Sequence, residues 1–446
     1  MPQIQPIPAV TYATQGDVSP QIAPPYDVLD ETSKAALLAQ SPHNIVAVDL
    51  PHLPPKTVGP DATYEQAGRV WRQWLDEGVL TRHDRPAIFV YQQRYTDPRT
   101  GRAFARRGLF ANVRVSAFGP ASDGSGGIHP HEQTFSAPKE DRLKLMRTTG
   151  TQLSPIFGLY SDPENRVGEL LARTIDASPT PTFYGTTKTD GVRHELWVVS
   201  EPEKVQAFVD ALYGRDIFIA DGHHRYNTAL NYREEIAAAH GGTLPEDHPA
   251  NWCMFVLVAI QDPGMIVLPT HRVLGGMPDF SMAKFAAAAA STVNIIPFTG
   301  DLAALEAALP QHGPHAMGLV APGDNPELAI LTTTDPDPLK TMFPNQSEAW
   351  RQLDVAVLQH LIVEQICQPA FTQGKPVTWK FPHELEQLRK DLAGGDYQLG
   401  VIVQPTPLES VRLVSEAGEL MPQKSTFFYP KLATGLVMNP VNSRQQ

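Results

Sequence analysis

Cysteine is nearly absent from this chain: there are two, Cys253 and Cys367, in 446 residues. Both sit in apolar surroundings at no metal-type spacing. That excludes a disulfide framework and a cysteine zinc site, and predicts buried structural thiols in a cytosolic protein. Long apolar runs are missing as well. No stretch approaches the roughly 20 apolar residues that a membrane-spanning helix needs, and Met1 to Tyr12 lacks the basic start and apolar run of a signal peptide. Positive charge is in deficit, with 36 Lys and Arg against 48 Asp and Glu and a formal net charge of -12. Such a field repels nucleic acid and anionic lipid, so neither is an expected partner. There is no internal repeat, no helix-turn-helix signal, no Gly-rich loop closing in Lys-Ser or Lys-Thr, and no kinase Asp-Phe-Gly.

What is present is a globular composition, 42% hydrophobic and 19% charged, with 42 prolines that imply many irregular connections. The length allows two or three domains. Helices are expected at 31–39, 64–77, 139–149, 202–213, 282–290, 302–309, 355–367 and 383–392. Strands are expected at 45–50, 87–95, 155–160, 196–200, 252–260 and 397–403. Hairpin partners are read at 104–118 against 87–95, at 265–268 against 252–260, and at 316–320 against 328–332. The glycine-rich run Gly119–Gly127 marks a boundary. Helices and strands intermingle with several hairpins, so the class is α/β of the mixed α+β kind.

The most informative stretch runs from Asp216 to Ile236. Ile217 to Ala220 are an apolar run suited to a buried strand, and from Tyr226 apolar or small residues recur near helical spacing. Asp221, Gly222, His223, His224 and Arg225 therefore fall where a strand gives way to the first turn of a helix. Free N–H groups and partial positive charge there suit an anion. Gly222 lets backbone approach a ligand, and the Arg225 fork fits phosphate oxygens. The two histidines can donate hydrogen bonds, and Asp221 can bind Mg²⁺ or take a proton. Read blandly, these are a capping Asp, a turn Gly and three solvated side chains; five in a row at one junction favour a phosphate site.

Two further clusters carry chemistry. His129, His131 and Glu132 lie near Lys139, Asp141 and Arg142, without the further His or Cys that would complete a zinc set. Lys424, Ser425 and Thr426 follow Pro422-Gln423 in an aromatic, proline-rich setting that can wrap phosphate or ribose. Together the clusters supply what a nucleotide-using enzyme requires: phosphate ligands, a cation and a base.

On these residues the chain resembles the domain-of-unknown-function family numbered 1015. The resemblance rests on the Asp-Gly-His-His-Arg junction, the His-Glu segment, Pro269-Thr270-His271-Arg272 and Pro422 to Thr426. That family is similar in turn to the free serine kinase, SerK, and to the ParB/sulfiredoxin-like fold. The kinase presents Pro-His-Glu-Gln, Asp-Gly-His-His-Arg and Pro-Lys-Thr-Thr in the order that Pro130 to Gln133, Asp221 to Arg225 and Pro422 to Thr426 repeat. An extra residue interrupts the third motif here, and the gap from Glu132 to Asp221 is far longer.

The resemblance implies a ParB/sulfiredoxin-like nucleotide core at 126–280, between α/β segments at 1–125 and 281–446. It implies Glu132 and Asp221 as catalytic residues, with Gly222, His223, His224, Arg225, Lys424, Ser425 and Thr426 on phosphate. His131, Lys139, Arg142, His271 and Arg272 are further candidates, and Asp221 would hold Mg²⁺. The expected activity is phosphoryl transfer from ATP or ADP to a small hydroxyl metabolite, free L-serine first. The rival readings are a ParB-like nucleotide switch without turnover and, more weakly, a metal-dependent hydrolase built on His129 and His131.

Overall fold

The computed structural model describes residues 2–120, 126–323 and 326–442. Residues 121–125 of the glycine-rich connection lie outside them. The protein is mixed α/β, and its chain forms two compact units, one of residues 1–265 with 430–446 and the other of 266–429. These boundaries differ from the expected segments 1–125, 126–280 and 281–446.

The first unit is built on a sheet of eleven strands among the described residues, drawn from both sides of residue 125. At its centre Ala103–Arg114 lies between Ile88–Thr96 and Trp252–Ala259, antiparallel to both. Trp252–Ala259 then runs parallel to Ile156–Tyr160. Ile156–Tyr160 in turn pairs antiparallel with Ile217–Asp221. Near-continuous apolar sequence in Trp252–Ala259 follows from burial on both faces, where Phe255 and Leu257 are fully enclosed with Leu109 and Ile219. Truncating such a residue as Phe255 typically costs about 3–5 kcal/mol.

The helices Ser136–Thr149 and His223–Ala239 meet through Leu143, Met146 and Tyr232, which brings the two motif-bearing segments together. Helix Asp61–Asp76 packs on the first of these so closely that a Cβ on Gly68 would lie 2.7 Å from the Thr148 carbonyl oxygen. The second unit holds an antiparallel sheet of six strands among the described residues, in the order Val293–Pro297, Glu327–Thr333, Met317–Ala321, Tyr397–Ile402, Arg272–Gly275, Thr378–Lys380. Its core gathers Val273, Leu305, Val320, Ile330, Leu388 and Ile402.

Two local expectations are corrected, and one expected helix is present in an unexpected form. The β-branched run at 45–50 is a helical turn, Val46–Asp49. Asn44 starts it: its Oδ1 accepts from the Val46 N–H at 3.0 Å while its amide donates to the carbonyls of Pro20 and Ile22. This side-chain-to-backbone turn, anchored on the distant Pro20 and Ile22 carbonyls, overrides β-propensity. The segment Ile266–Leu268 does not return along Trp252–Ala259; it pairs with Phe427–Tyr429 instead. Both edges of Trp252–Ala259 are already taken, by Ala103–Arg114 and Ile156–Tyr160, so no hairpin partner has room. The helix read at 355–367 is α-helical only over Asp354–Ala356 and continues as the wider π form over Val357–Cys367.

Candidate functional site

Strand Ile217–Asp221 ends on Asp221, and helix His223–Ala239 begins two residues later. Gly222 makes the turn in the left-handed region, φ 99°, where a side chain is disfavoured. A Cβ on it would stand 3.0 Å from Arg225 Nε, so the missing side chain makes room for the guanidinium folding back over the turn. Arg225 donates to the Pro155 carbonyl and faces Asp221 Oδ1 at 3.4 Å. The other Asp221 oxygen takes Lys431 Nζ at 2.8 Å. Burial works to raise the Asp221 pKa, but Lys431 and Arg225 outweigh it and hold the carboxyl well below its usual range.

The histidine pair does something the sequence did not suggest. His223 Nε2 accepts the backbone N–H of His131 at 3.2 Å, and His224 Nε2 accepts that of Phe135 at 3.0 Å. The two rings therefore clasp the 131–135 loop that carries Glu132. The His223 and His131 rings meet edge-on, 4.6 Å between centroids, and the His224 ring stacks on Phe135. Burial pushes the His131 pKa down to about 4, His223 well below its ordinary value, and His224 downward as well. All three imidazoles are thus neutral near pH 7. The sequence suggested that His223 and His224 donate hydrogen bonds; in this arrangement each accepts one through Nε2.

Glu132 Oε2 lies 4.0 Å from His223 Nδ1, with about a third of its side chain exposed. With His223 neutral this is a dipolar contact, and the carboxylate keeps its capacity to accept. Glu132, Lys56, Asp27 and Lys139 all act electrostatically on His224, which places this group of charges around one ring. Lys56 and Asp27 pair at 3.2 Å.

The other sequence-predicted residues fall into braces. Arg142 is buried between Asp141, at 2.7 Å, and Asp49, at 3.2 Å, and lies 3.8 Å over the Tyr26 ring. Tyr64 completes the set by donating to Asp141 at 2.6 Å. A small cavity of about 40 Å³ adjoins this network, lined by Asp49, Arg142, Ser154, Arg225 and Cys253 among others. His129 is bound to Asp216 at 2.7 Å and stacks on Phe218.

In the second unit, Arg272 is buried and donates to the carbonyls of Thr270 and, at 3.0 Å, Lys424. Burial lowers its pKa to about 9. His271 Nδ1 accepts the Val403 N–H at 3.3 Å. Lys424 is exposed in the left-handed region, φ 58°, while the Ser425 hydroxyl donates to the Pro422 carbonyl and Thr426 is half-buried beside it.

The arrangement does not fit the expected Mg²⁺ on Asp221, because both carboxylate oxygens already face cations. Among the described residues no three or more His, Cys, Asp or Glu stand together as a metal site. Lys431 is the residue that sequence reasoning missed. Its signal was its place at the end of the aromatic run Phe427-Phe428-Tyr429-Pro430, beyond the Lys-Ser-Thr that drew attention.

The model of a family described as a protein of unknown function, DUF1015, matches residues 4–356. The chain belongs to this family. No curated protein matches the sequence. Among solved structures the chain is similar to a free serine kinase in complex with AMP, at 14% identity and a TM-score of 0.31, covering 68% of this chain and 83% of that one. It is also similar to a mutant of a free serine kinase in complex with ADP, at 13% and 0.32, with 68% and 83% covered. A third is C-terminally truncated SbnI from Staphylococcus aureus, at 10% and 0.32, with 68% and 81% covered. At these scores the likeness carries no argument about the site. Among the described residues of this DUF1015 member, no helix is long and apolar enough to cross a membrane.

Proposed function

We propose that this chain is a nucleotide-dependent phosphotransferase acting on a small hydroxyl metabolite, with ATP or ADP as donor and free L-serine as the first acceptor to try. One observation carries the reading: the Asp221 junction, with Arg225 in its first helical turn, fixes through its two histidines the loop that bears Glu132. Phosphate ligation and a base for the acceptor are thereby built into one element, which is what phosphoryl transfer asks of a protein.

In the reaction, the acceptor oxygen attacks the terminal phosphorus, the bond from phosphorus to the bridging oxygen breaks, and the shortened nucleotide leaves with that oxygen. Glu132 accepts the hydroxyl proton. Arg225 binds phosphate oxygens as a planar fork. His223 and His224 act through the loop: as hydrogen-bond acceptors they hold Glu132 in position and exclude alternatives for the 131–135 backbone. Asp221 aims its cations. No step is routed through a metal.

The test is transfer from ATP or ADP across a panel of hydroxyl metabolites, with the product identified by mass. A phosphorylated acceptor whose formation stops in Glu132→Gln supports the reading. Nucleotide binding without transfer to any acceptor would favour a regulatory switch, and no nucleotide binding at all would overturn the assignment.

A further inference from the structure

We infer that Lys431 is a phosphate-contacting residue, held against Asp221 until a nucleotide phosphate takes the carboxylate's place. This rests on the phosphotransferase reading and adds to it a residue from the far end of the chain. Lys431 Nζ lies 2.8 Å from Asp221 Oδ2 with each side chain about a fifth exposed, so the pair is reachable by a ligand.

The frame behind Lys431 is what singles it out. The Pro430 carbonyl accepts from Arg106 Nη2 at 2.6 Å, and the Lys431 carbonyl accepts from Gln93 Nε2 at 3.0 Å. The carbonyls on both sides of the Lys431 α-carbon are therefore fixed. The two donors are themselves joined, Arg106 Nε to Gln93 Oε1 at 3.0 Å. Each is 1% exposed. The Arg106 guanidinium stands 4.7 Å from the centre of the Phe157 ring, and Phe157 is the residue paired with Asp221 across the sheet. Contacts thus run unbroken from the Lys431 backbone, through Gln93, Arg106 and Phe157, to the strand residue whose carboxylate the lysine meets.

Burying a guanidinium is unfavourable unless its hydrogen bonds are made, and here they are made to the chain at Lys431. A lysine serving only an exposed ion pair would need no such frame, since those pairs contribute little. The charges point the same way. One carboxylate faces two cations, Lys431 and Arg225, and the neighbouring histidines His131 and His223 are kept neutral by burial. A phosphate offers the same acceptor geometry as the carboxylate with more charge, and the ammonium is a point donor that can turn to it.

Calorimetric titration of the full chain with ADP tests this in wild type, Lys431→Met and Lys431→Arg. The expected result is a loss of about ten- to a hundred-fold in affinity in Lys431→Met, largely regained in Lys431→Arg. Unchanged affinity in a folded Lys431→Met overturns the inference and leaves the phosphotransferase reading intact. A wild type that binds neither ADP nor ATP overturns that reading, and this inference with it. Should Lys431→Met not fold, acetic anhydride labelling of the wild type, read at Lys431 by mass spectrometry, replaces it. Several-fold protection by ADP supports the contact, and equal labelling with and without ADP refutes it.

Discussion

Arg225 and Arg272 each follow a histidine and look interchangeable from sequence, but Arg225 lies in the first turn of helix His223–Ala239 and Arg272 opens strand Arg272–Gly275. Arg225 keeps one donor on the Pro155 carbonyl and turns another toward a junction in which side-chain carboxylate and lysine balance one another at a partly open position. Arg272 is 3% exposed and spends its donors on the backbone carbonyls of Thr270 and Lys424. The first arrangement can exchange a partner, because a carboxylate and a phosphate are alternative acceptors for the same cations. The second cannot, because backbone carbonyls cannot leave and would be stranded if the guanidinium turned away. A basic residue near a hydroxyl motif is thus a ligand site or a loop brace according to what its donors already hold.

The comparison breaks most readily at Glu132. Glu132→Gln should lower phosphate transfer by about 10²–10⁴-fold with nucleotide affinity intact, the signature of a lost base. Transfer rates as fast as wild type would make the clasped loop mere scaffold. On the other side, Arg272→Met should leave nucleotide affinity alone and cost about 2–4 kcal/mol of stability through stranded carbonyls. Urea denaturation measures it, and an unchanged midpoint would remove the brace.

Acid should strike at the histidine clasp. For His131, with a pKa of about 4 in the folded chain and roughly 6.5 unfolded, the unfolded state binds more protons between those values. Its contribution is complete above pH 6.5 and is lost as pH falls toward 4, up to about 3 kcal/mol. Thermal melts from pH 7.5 to 4.5 should show the fall, and His131→Asn should flatten it.

Arg225→Ala should weaken nucleotide binding by about 1.5–3 kcal/mol, a difference calorimetry resolves easily. If the loss appears in stability alone, Arg225 is a brace like Arg272. The smallest effect belongs to Gly222→Ala. Its left-handed φ and the guanidinium 3.0 Å from the new Cβ should destabilise the fold by about 1–2 kcal/mol.

The amino-acid sequence by itself determined the class, most of the strands and helices, and the junction. Apolar runs such as Trp252–Ala259 and the amphipathic face of Asp61–Asp76 are local signals, written in the period of the residues concerned. It also marked Asp221 to Arg225 as a strand-to-helix turn, since strand, glycine and helix adjoin there in the chain. Where neighbours in space decided, the periodic reading failed. The 45–50 run became helical because Asn44 found carbonyls at Pro20 and Ile22, and Ile266–Leu268 went elsewhere because both edges of its expected partner were occupied. Tertiary structure alone placed Lys431 on Asp221, 210 residues away in the chain. It alone turned two histidines from expected hydrogen-bond donors into acceptors that clasp a loop. The physical reason is the same in each case: hydrogen-bond saturation and burial depend on groups distant in sequence, and no local pattern of residue types encodes them.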